Sequence, residues 1–403
     1  MQASNTAQDM FTFTDPDNLI CPASEIFNRQ DVAKRVLAAL SDDMDGRTGR
    51  AAVVDVLKDV NKQSRKVIAD AFRADPLNAR PMTRSYSYLT DCLVEVVFHT
   101  ATTHFHPNPN PTEGEKLTLF AVGGYGRAEM APGSDVDLLF LTPYKITAWA
   151  ESVIEQMLYI FWDLKMKIGH ASRTIKDCIR IGREDYTVRT ALLELRPLIG
   201  ETLMAEELKT RLQRDLFQNT TPEFIEAKLE ERAARHIKQG GQRYVLEPNV
   251  KEGKGCLRDL QSLFWIAKYA HNVDSIDDLL AQNLFRESEL KDFAEAENFL
   301  WAVRGHLHLI TGRAQDQLTF DLQVECAHAL GYEGKDGRRA VEYFMQDFYL
   351  YATKVGELTR IFLTALEATH IKQPRSLSGI LRRLRKLKPD FAVAQNRLTL
   401  KNE

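Results

Sequence analysis

The chain has 403 residues, 44% of them hydrophobic and 27% charged, and a formal net charge of −3. That is more than one ordinary domain and enough apolar content for a sizeable core. The acidic balance argues against a nucleic-acid partner. No apolar run reaches the about 18 residues of a membrane helix, and the polar start MQASNTAQDMFTFTDPDN has no signal-peptide pattern.

The first 25 residues, punctuated by Pro16 and Pro22, read as a flexible arm. A helical region follows over 26–112. Its first strong helix spans Ala51 to Ala74, with Val53, Val54, Val56, Leu57, Val60, Val67 and Ile68 as an apolar stripe stopped by Pro76. The second spans Met82 to Phe105 and ends at Pro107, Pro109 and Pro111. The texture then changes over 113–200. Leu117–Val122 and Val136–Thr142 read as short buried strands around a Gly-rich turn, Trp149–Leu164 has helical apolar spacing, and Met166–Arg173 is a third candidate strand. From 201 to 370 the pattern is helical. Thr221–Pro222 is a start signal, with Thr as cap and Pro at the first helical position, and long helices run over Ser288–Thr311 and Gly337–Thr369. Residues 371–403 read as a basic linker, since Lys372, Arg375, Arg382, Arg383, Arg385, Lys386 and Lys388 occur with no acid among them; its plainest reading is a solvated segment. The fold class is therefore α+β, a small α/β unit embedded in a mostly helical chain.

The stretch GGYGRAEMAPGSDVDLL, residues 123–139, carries the chemistry. Residues two apart on a strand share a face, so Asp135 and Asp137 converge while Val136 points into the core. Paired carboxylates repel unless a cation sits between them, and Mg²⁺, with Mn²⁺ as the alternative, takes a few carboxylate oxygens plus substrate phosphates. Gly123 and Gly124, directly after a strand and before a short helix, let backbone N–H groups approach a phosphate. The competing reading is a plain tight turn. Other phosphate loops fail: there is no GxxxxGK[ST], and the run from Gly124 to Glu129 lacks the third glycine of a dinucleotide fingerprint.

GG-x-GR-x-E followed by SD-x-DLL resembles the signature of the DNA polymerase β-type nucleotidyltransferases, in the wording of the PII uridylyltransferase family. The resemblance continues through WDLKMKIGHASRT (162–174), RTALLELRPLIG (189–200), RYVLEPNVKEGKGCLRDLQSLFWIAKY (243–269), LWAVRGHLHLITGR (300–313) and VEYFMQDFY (341–349). It implies a polymerase β-like core and transfer of UMP from UTP to a tyrosine of the PII signalling protein, in the cytoplasm. It also implies that Gly123 and Gly124 hold the triphosphate, that Asp135 and Asp137 bind metal, and that Arg127 and Ser134 serve the phosphates or the groups around them. Lys251 and Arg258 become candidates to neutralise the leaving pyrophosphate. The superfamily commonly adds a third carboxylate on a neighbouring strand. Here that segment offers His170, and Glu194, Asp185 or no residue at all stay open for the role.

The segment 246–261 gathers Glu247, Lys251, Arg258, Asp259 and Gln261 around Gly and Pro breaks. It reads equally as a charged helix start tying two helices together or as a second wall of the site. Cys256 stands where the family typically has Gly, which puts close backbone approach to a ligand in doubt. The five cysteines are scattered without a CxxC pair, so neither a zinc ribbon nor a disulfide framework is expected and a reducing compartment is the default. None of the ten histidines precedes an Asp; His306 and His308 face different sides of one helix, and His104 and His106 have no further ligand nearby. The resembled family continues into a hydrolase region that removes UMP and into glutamine-sensing domains, so the sequence as it stands is expected to transfer only. Adenylyl transfer to glutamine synthetase, and a non-catalytic nucleotide or PII docking module, are the alternative readings.

Overall fold

The computed structural model describes residues 10, 15–40, 46–273, 278, 280, 285–370, 391–394 and 397–400. The basic run from Lys372 to Lys388 lies outside the described residues. Within the segment read as a linker, β5 (Phe391–Ala394) and β6 (Arg397–Leu400) pair antiparallel.

The described part of the expected arm is anchored. Tyr88 Oη donates to Asp15 at 2.9 Å, Arg29 pairs with Asp15 at 3.1 Å, and the Ile20 N–H donates to Ser85 Oγ. Two short helices, α1 (Ala23–Ile26) and α2 (Arg29–Ala39), lead into α3 (Gly46–Ala74) and α4 (Ala79–Thr100), which ends in a π turn at Ala101–Phe105. The apolar stripe read from the sequence is buried: Val53, Val54, Leu57, Val60 and Ile68 face the core.

A four-stranded mixed sheet follows, in the order β3 (Ile168–Arg173), β2 (Val136–Leu141), β1 (Thr118–Ala121), β4 (Arg196–Gly200). β1 is antiparallel to both β2 and β4. β2 and β3 are parallel, so the chain crosses over between them through α6 (Ala148–Asp163), which Thr147 caps. A single turn, α5 (Gly123–Gly126), links β1 to the loop before β2. Two helices absent from the sequence reading, α7 (Ile175–Glu184) and α8 (Tyr186–Leu193), join β3 to β4, and α9 (Thr202–Leu212) follows. Thr174 and Asp177 close a capping box on α7, and Asp185 caps α8 through the N–H groups of Thr187 and Val188.

Helix α10 (Thr221–Lys238) begins one residue before the expected start. Thr220 is the flanking residue, with no side-chain cap bond, and Pro222 lies in the first turn. Then come α11 (Leu257–His271), α12 (Glu287–Thr311), α13 (Phe320–Ala329) and α14 (Ala340–His370). One sheet face, with Leu119, Val136, Leu138 and Phe140, joins the large core shared with α3, α4, α6 and α11–α14. The other face, with Phe120, Leu139 and Leu141, packs on α7 and α9. Among the described residues no helix is long and apolar enough to cross a membrane.

Candidate active site

Asp137 projects from the sheet face that carries Leu139 and Leu141, at the point where the apolar packing on α7 and α9 gives out. β2 begins at Val136, so Asp135 sits on the lip just before the strand rather than within it. Both carboxylates line one cavity of about 550 Å³ together with Gly123, Gly124, Arg127 and Ser134. Burial, then the nearby Asp135 charge, push the Asp137 carboxyl above its ordinary value, and Lys251 pulls the other way. The acid pair is therefore uncomfortable by itself.

Two glycines border it, one required by the backbone of the turn and one by space. Gly123 has φ +60°, a conformation that side chains rarely adopt, and a Cβ there would lie 3.5 Å from Asp137 Oδ2. Gly169, the register partner of Asp137 on β3, faces it so closely that a Cβ would collide with Oδ1. The register thus puts Gly169, and no acid, on β3 level with Asp137, while His170 pairs with Leu138 on the opposite face.

Neither remaining candidate for a third carboxylate is free. Asp185 is occupied as the α8 cap and does not line the cavity. Glu194 lines it, but Arg127 Nη1 donates to both of its oxygens at 2.6 Å and the Trp265 indole N–H donates to Oε1. Arg127 also bonds Glu129 at 2.7 Å, so its guanidinium is held on carboxylates rather than left open for phosphate. Burial opposes its charge, and Glu194 and Glu129 outweigh that. Ser134 Oγ accepts from the Ala131 N–H at 2.9 Å, which closes the turn that delivers Asp135. The turn α5 is a single turn whose bonds run from Gly126 and Arg127 N–H to Val122 and Gly123 carbonyls, so any help for an anion comes from its first N–H groups, not from a long helix dipole.

The facing wall is cationic. Lys251, Arg258, Arg304 and Lys228 line the cavity, and the Lys251 ammonium makes no hydrogen bond or ion pair among the described residues. Burial, with Arg304 and Arg258 adding repulsion, lowers its pKa against the opposing pull of Asp316 and Glu252. Arg258 bonds Gln261 at 2.9 Å and Glu252 at 3.1 Å, over the Trp265 ring. Arg304 bonds Asp316 at 2.7 Å.

The segment 246–261 both lines the cavity and ties two helices together. Lys251, Glu252, Arg258 and Gln261 form cavity wall. Asp259 is fully buried and ties α10 to the start of α11: Arg232, Arg235 and His236 reach it at 3.2, 2.7 and 2.9 Å, and the Gly255 N–H donates at 2.8 Å. Burial acts to raise the Asp259 carboxyl, but these partners hold it well below the usual range. Cys256 is buried and is not part of the cavity lining, so its side chain leaves the wall undisturbed. All five cysteines are free thiols.

The two walls are stapled together. The Gly133 N–H donates to His308 Nδ1 at 3.1 Å, which leaves the proton on Nε2 for Asp316 at 3.1 Å. Burial pushes the imidazole pKa down, in keeping with this neutral form. His306 faces elsewhere, stacked on Phe72 at 4.4 Å. Sequence reasoning missed Gly169, Lys228, Trp265, Arg304, His308 and Asp316. Only the Gly169 position could have been found, by aligning β3 with β2 in parallel from Val136 and Ile168.

The carboxylates Asp135 and Asp137 fit a hard divalent cation. They supply anionic oxygens at a cavity edge where Gly169 leaves room for the Asp137 carboxylate, and the opposite wall supplies charge for phosphates. Among the described residues no group of three or more His, Cys, Asp or Glu converges as a ligand cage, so the remaining ligands would have to come from substrate and water.

Fold and cavity thus define an α+β protein in which a small mixed sheet sets an acid pair against a cationic helical wall. Residues 223–363, which hold most of that helical wall, match the family model described as GlnD PII-uridylyltransferase. Over 373 residues the chain is 57% identical to a bifunctional uridylyltransferase/uridylyl-removing enzyme of Ruegeria pomeroyi, covering 93% of this chain and 41% of that protein. It is 53% identical over 382 residues to the enzyme of the same name from Cereibacter sphaeroides and 43% identical over 382 residues to that from Azospirillum brasilense, each covering 94% of this chain and 41% of the relative. The chain belongs to the PII-uridylyltransferase family and spans about two fifths of the length of these relatives.

Proposed function

We propose that the chain transfers UMP from UTP to a tyrosine hydroxyl of the PII protein and releases pyrophosphate. The observation that carries this reading is the opposition of walls: Asp135 and Asp137 on one side of the cavity, Lys251, Arg258 and Arg304 on the other. A triphosphate laid between them meets cations along its β and γ groups while its α-phosphorus lies toward the carboxylates. The acceptor hydroxyl has an ordinary pKa of about 10 and must lose its proton as it attacks. In this reading a carboxylate oxygen of the pair that is not committed to metal accepts it. The new bond forms between the tyrosine oxygen and the α-phosphorus, the bond to the bridging oxygen breaks, and pyrophosphate departs against Lys251 and its neighbours. Mg²⁺ or Mn²⁺ held by Asp135 and Asp137 would supply Lewis-acid stabilisation of the developing charge. Arg127, fixed by Glu194 and Glu129, braces the wall between α5 and α11. The setting we propose is the cytoplasm, where nucleoside triphosphates are available.

The test is incubation with labelled UTP, Mg²⁺ and purified PII, followed by mass analysis of the acceptor. A parallel arm holds ATP and glutamine synthetase. UMP on a PII tyrosine supports the reading; label appearing only in the second arm, or in neither, overturns it.

A further inference from the structure

The nucleotide cavity is not the only opening onto Asp137. A second cleft of about 280 Å³ shares Gly123, Asp137 and Ala191 with it and continues past Gly169, Ala171, Arg173 and Val188. A third, of about 300 Å³, lies on the other face of β3 between Ser172 and the exposed side of α6, lined by Ile146, Tyr159 and Trp162. His170 lines both. The strand β3 therefore runs as a ridge between two clefts, one of which opens at the carboxylate pair.

That ridge is an open sheet edge. β3 is the outer strand of the sheet. The carbonyls of Lys167 and Arg173 accept from β2 and the residue after it, through Val136 and Thr142 N–H, so by alternation Ile168, His170 and Ser172 turn their backbone groups outward. None of the three has an outward backbone partner among the described residues. Sheets usually blunt such edges with Pro, Lys or a bulge. The opposite edge does this: β4 contains Pro197 and shifts register against Leu119 and Phe120. In β3 the sequence IGHASR has no such device before its last residue. The neighbouring aromatics are exposed yet held: Trp162 is 51% and Tyr159 46% exposed, their rings pack edge to face at 5.7 Å, and the Arg50 guanidinium lies 5.1 Å from the Tyr159 ring centre.

We propose that an extended segment of the protein acceptor adds to β3 as a fifth strand. Backbone pairing with Ile168, His170 and Ser172 would hold it, and its alternate side chains would enter the two clefts. The side chain on the Gly169 face, a tyrosine, reaches the acid pair; its neighbours one position away rest on Tyr159, Trp162 and Ile146. Gly169 then has a second role, since a bare position beside Asp137 lets an aromatic ring come close. This inference rests on the reading of the chain as an enzyme with a protein acceptor, and deepens it by naming where that acceptor binds.

The experiment uses the full chain, PII and UTP with Mg²⁺. Trp162→Ala with Tyr159→Ala should raise the KM for PII by about tenfold or more, with UTP affinity by calorimetry unchanged. His170→Pro, which removes one outward N–H without touching the β2 ladder, should do the same. Hydrogen exchange, which needs no turnover, should show PII protecting amides of 168–173 and leaving those of β4 unchanged. A KM for PII within twofold of wild type in both variants, or PII-dependent protection that skips 168–173, overturns the proposal. So does protection of 168–173 that grows with concentration of the chain alone, because the edge would then be covered by a second copy. Absence of transfer by the wild-type chain would instead strike the proposed activity, and the exchange result would still decide the docking surface.

Discussion

The two walls of the cavity are built in opposite ways. The acidic wall comes from one continuous stretch, Gly123 to Asp137, in which a single turn directly after β1 leads through a short loop into β2. The cationic wall is assembled from Lys228, Lys251, Arg258 and Arg304, on three helices and the loop before one of them. The first can be recognised as a motif. The second is scattered, and carboxylates tie its elements together: buried Asp259 gathers Arg232, Arg235 and His236 of α10 at the start of α11, and half-buried Asp316 gathers Arg304 and His308. Chemistry concentrated in a local stretch tolerates little change there, whereas a wall of several cations should fail by degrees.

The sharpest break of this contrast is Asp137→Asn, which removes charge with little change in shape. Transfer should fall by roughly thousands-fold, with circular dichroism native. Turnover near wild type would remove Asp137 from the reaction. Next in size is Gly169→Val. The position is exposed and β-branched residues suit strands, so the fold should survive, but the new side chain must displace the Asp137 carboxylate. A loss in kcat of about a hundredfold is expected from such misplacement. Unchanged kcat in a folded variant would mean the carboxylate position is not critical.

On the other wall, Lys251→Gln should weaken UTP binding by only about tenfold, because Arg258 and Arg304 remain, and the loss should shrink as salt is raised. Calorimetry at two ionic strengths checks it; a loss as deep as that of Asp137→Asn would erase the distinction between the walls.

The smallest expected effect lies behind both walls. Glu297 on α12 is buried near Glu129 and bonded to Arg80 at 3.0 Å; burial and the Glu129 charge push its pKa up to about 7, against the pull of Arg80. A carboxyl with its folded pKa above its unfolded one stabilises the fold while protonated. That contribution is complete below about pH 4.5 and is lost as pH rises toward 7. Chemical denaturation of the wild type should thus lose on the order of 1–3 kcal/mol across that window relative to Glu297→Gln. Parallel pH profiles of the two proteins would show that Glu297 does not carry this shift.

The sequence by itself determined the α+β class, β1–β3, α3, α4, α6 and the long helices α12 and α14, each to within a few residues. Short strands and regular apolar stripes are local signals, set by alternation and by helical period. It also determined that Asp135 and Asp137 share a site with Gly123 and Gly124, because strand geometry and turn chemistry act over a few residues. It did not yield β4, where Pro197 interrupts an already short strand, or the short helices α7 and α8, whose beginnings depend on the Thr174–Asp177 box and the Asp185 cap. What only the tertiary structure decided is partnership. Arg127 reads in sequence as serving the phosphates or the groups around them, and only the fold shows its partner to be Glu194, 67 residues away, beneath Trp265. His308 reads as an unremarkable helix residue and instead fixes the turn before Asp135. Gly169 reads as a plain strand glycine until the register of β2 on β3 sets it against Asp137. In each case the deciding quantity is a distance across the fold, between groups whose charges and shapes are written locally but whose pairing is fixed only when the sheet and helices pack.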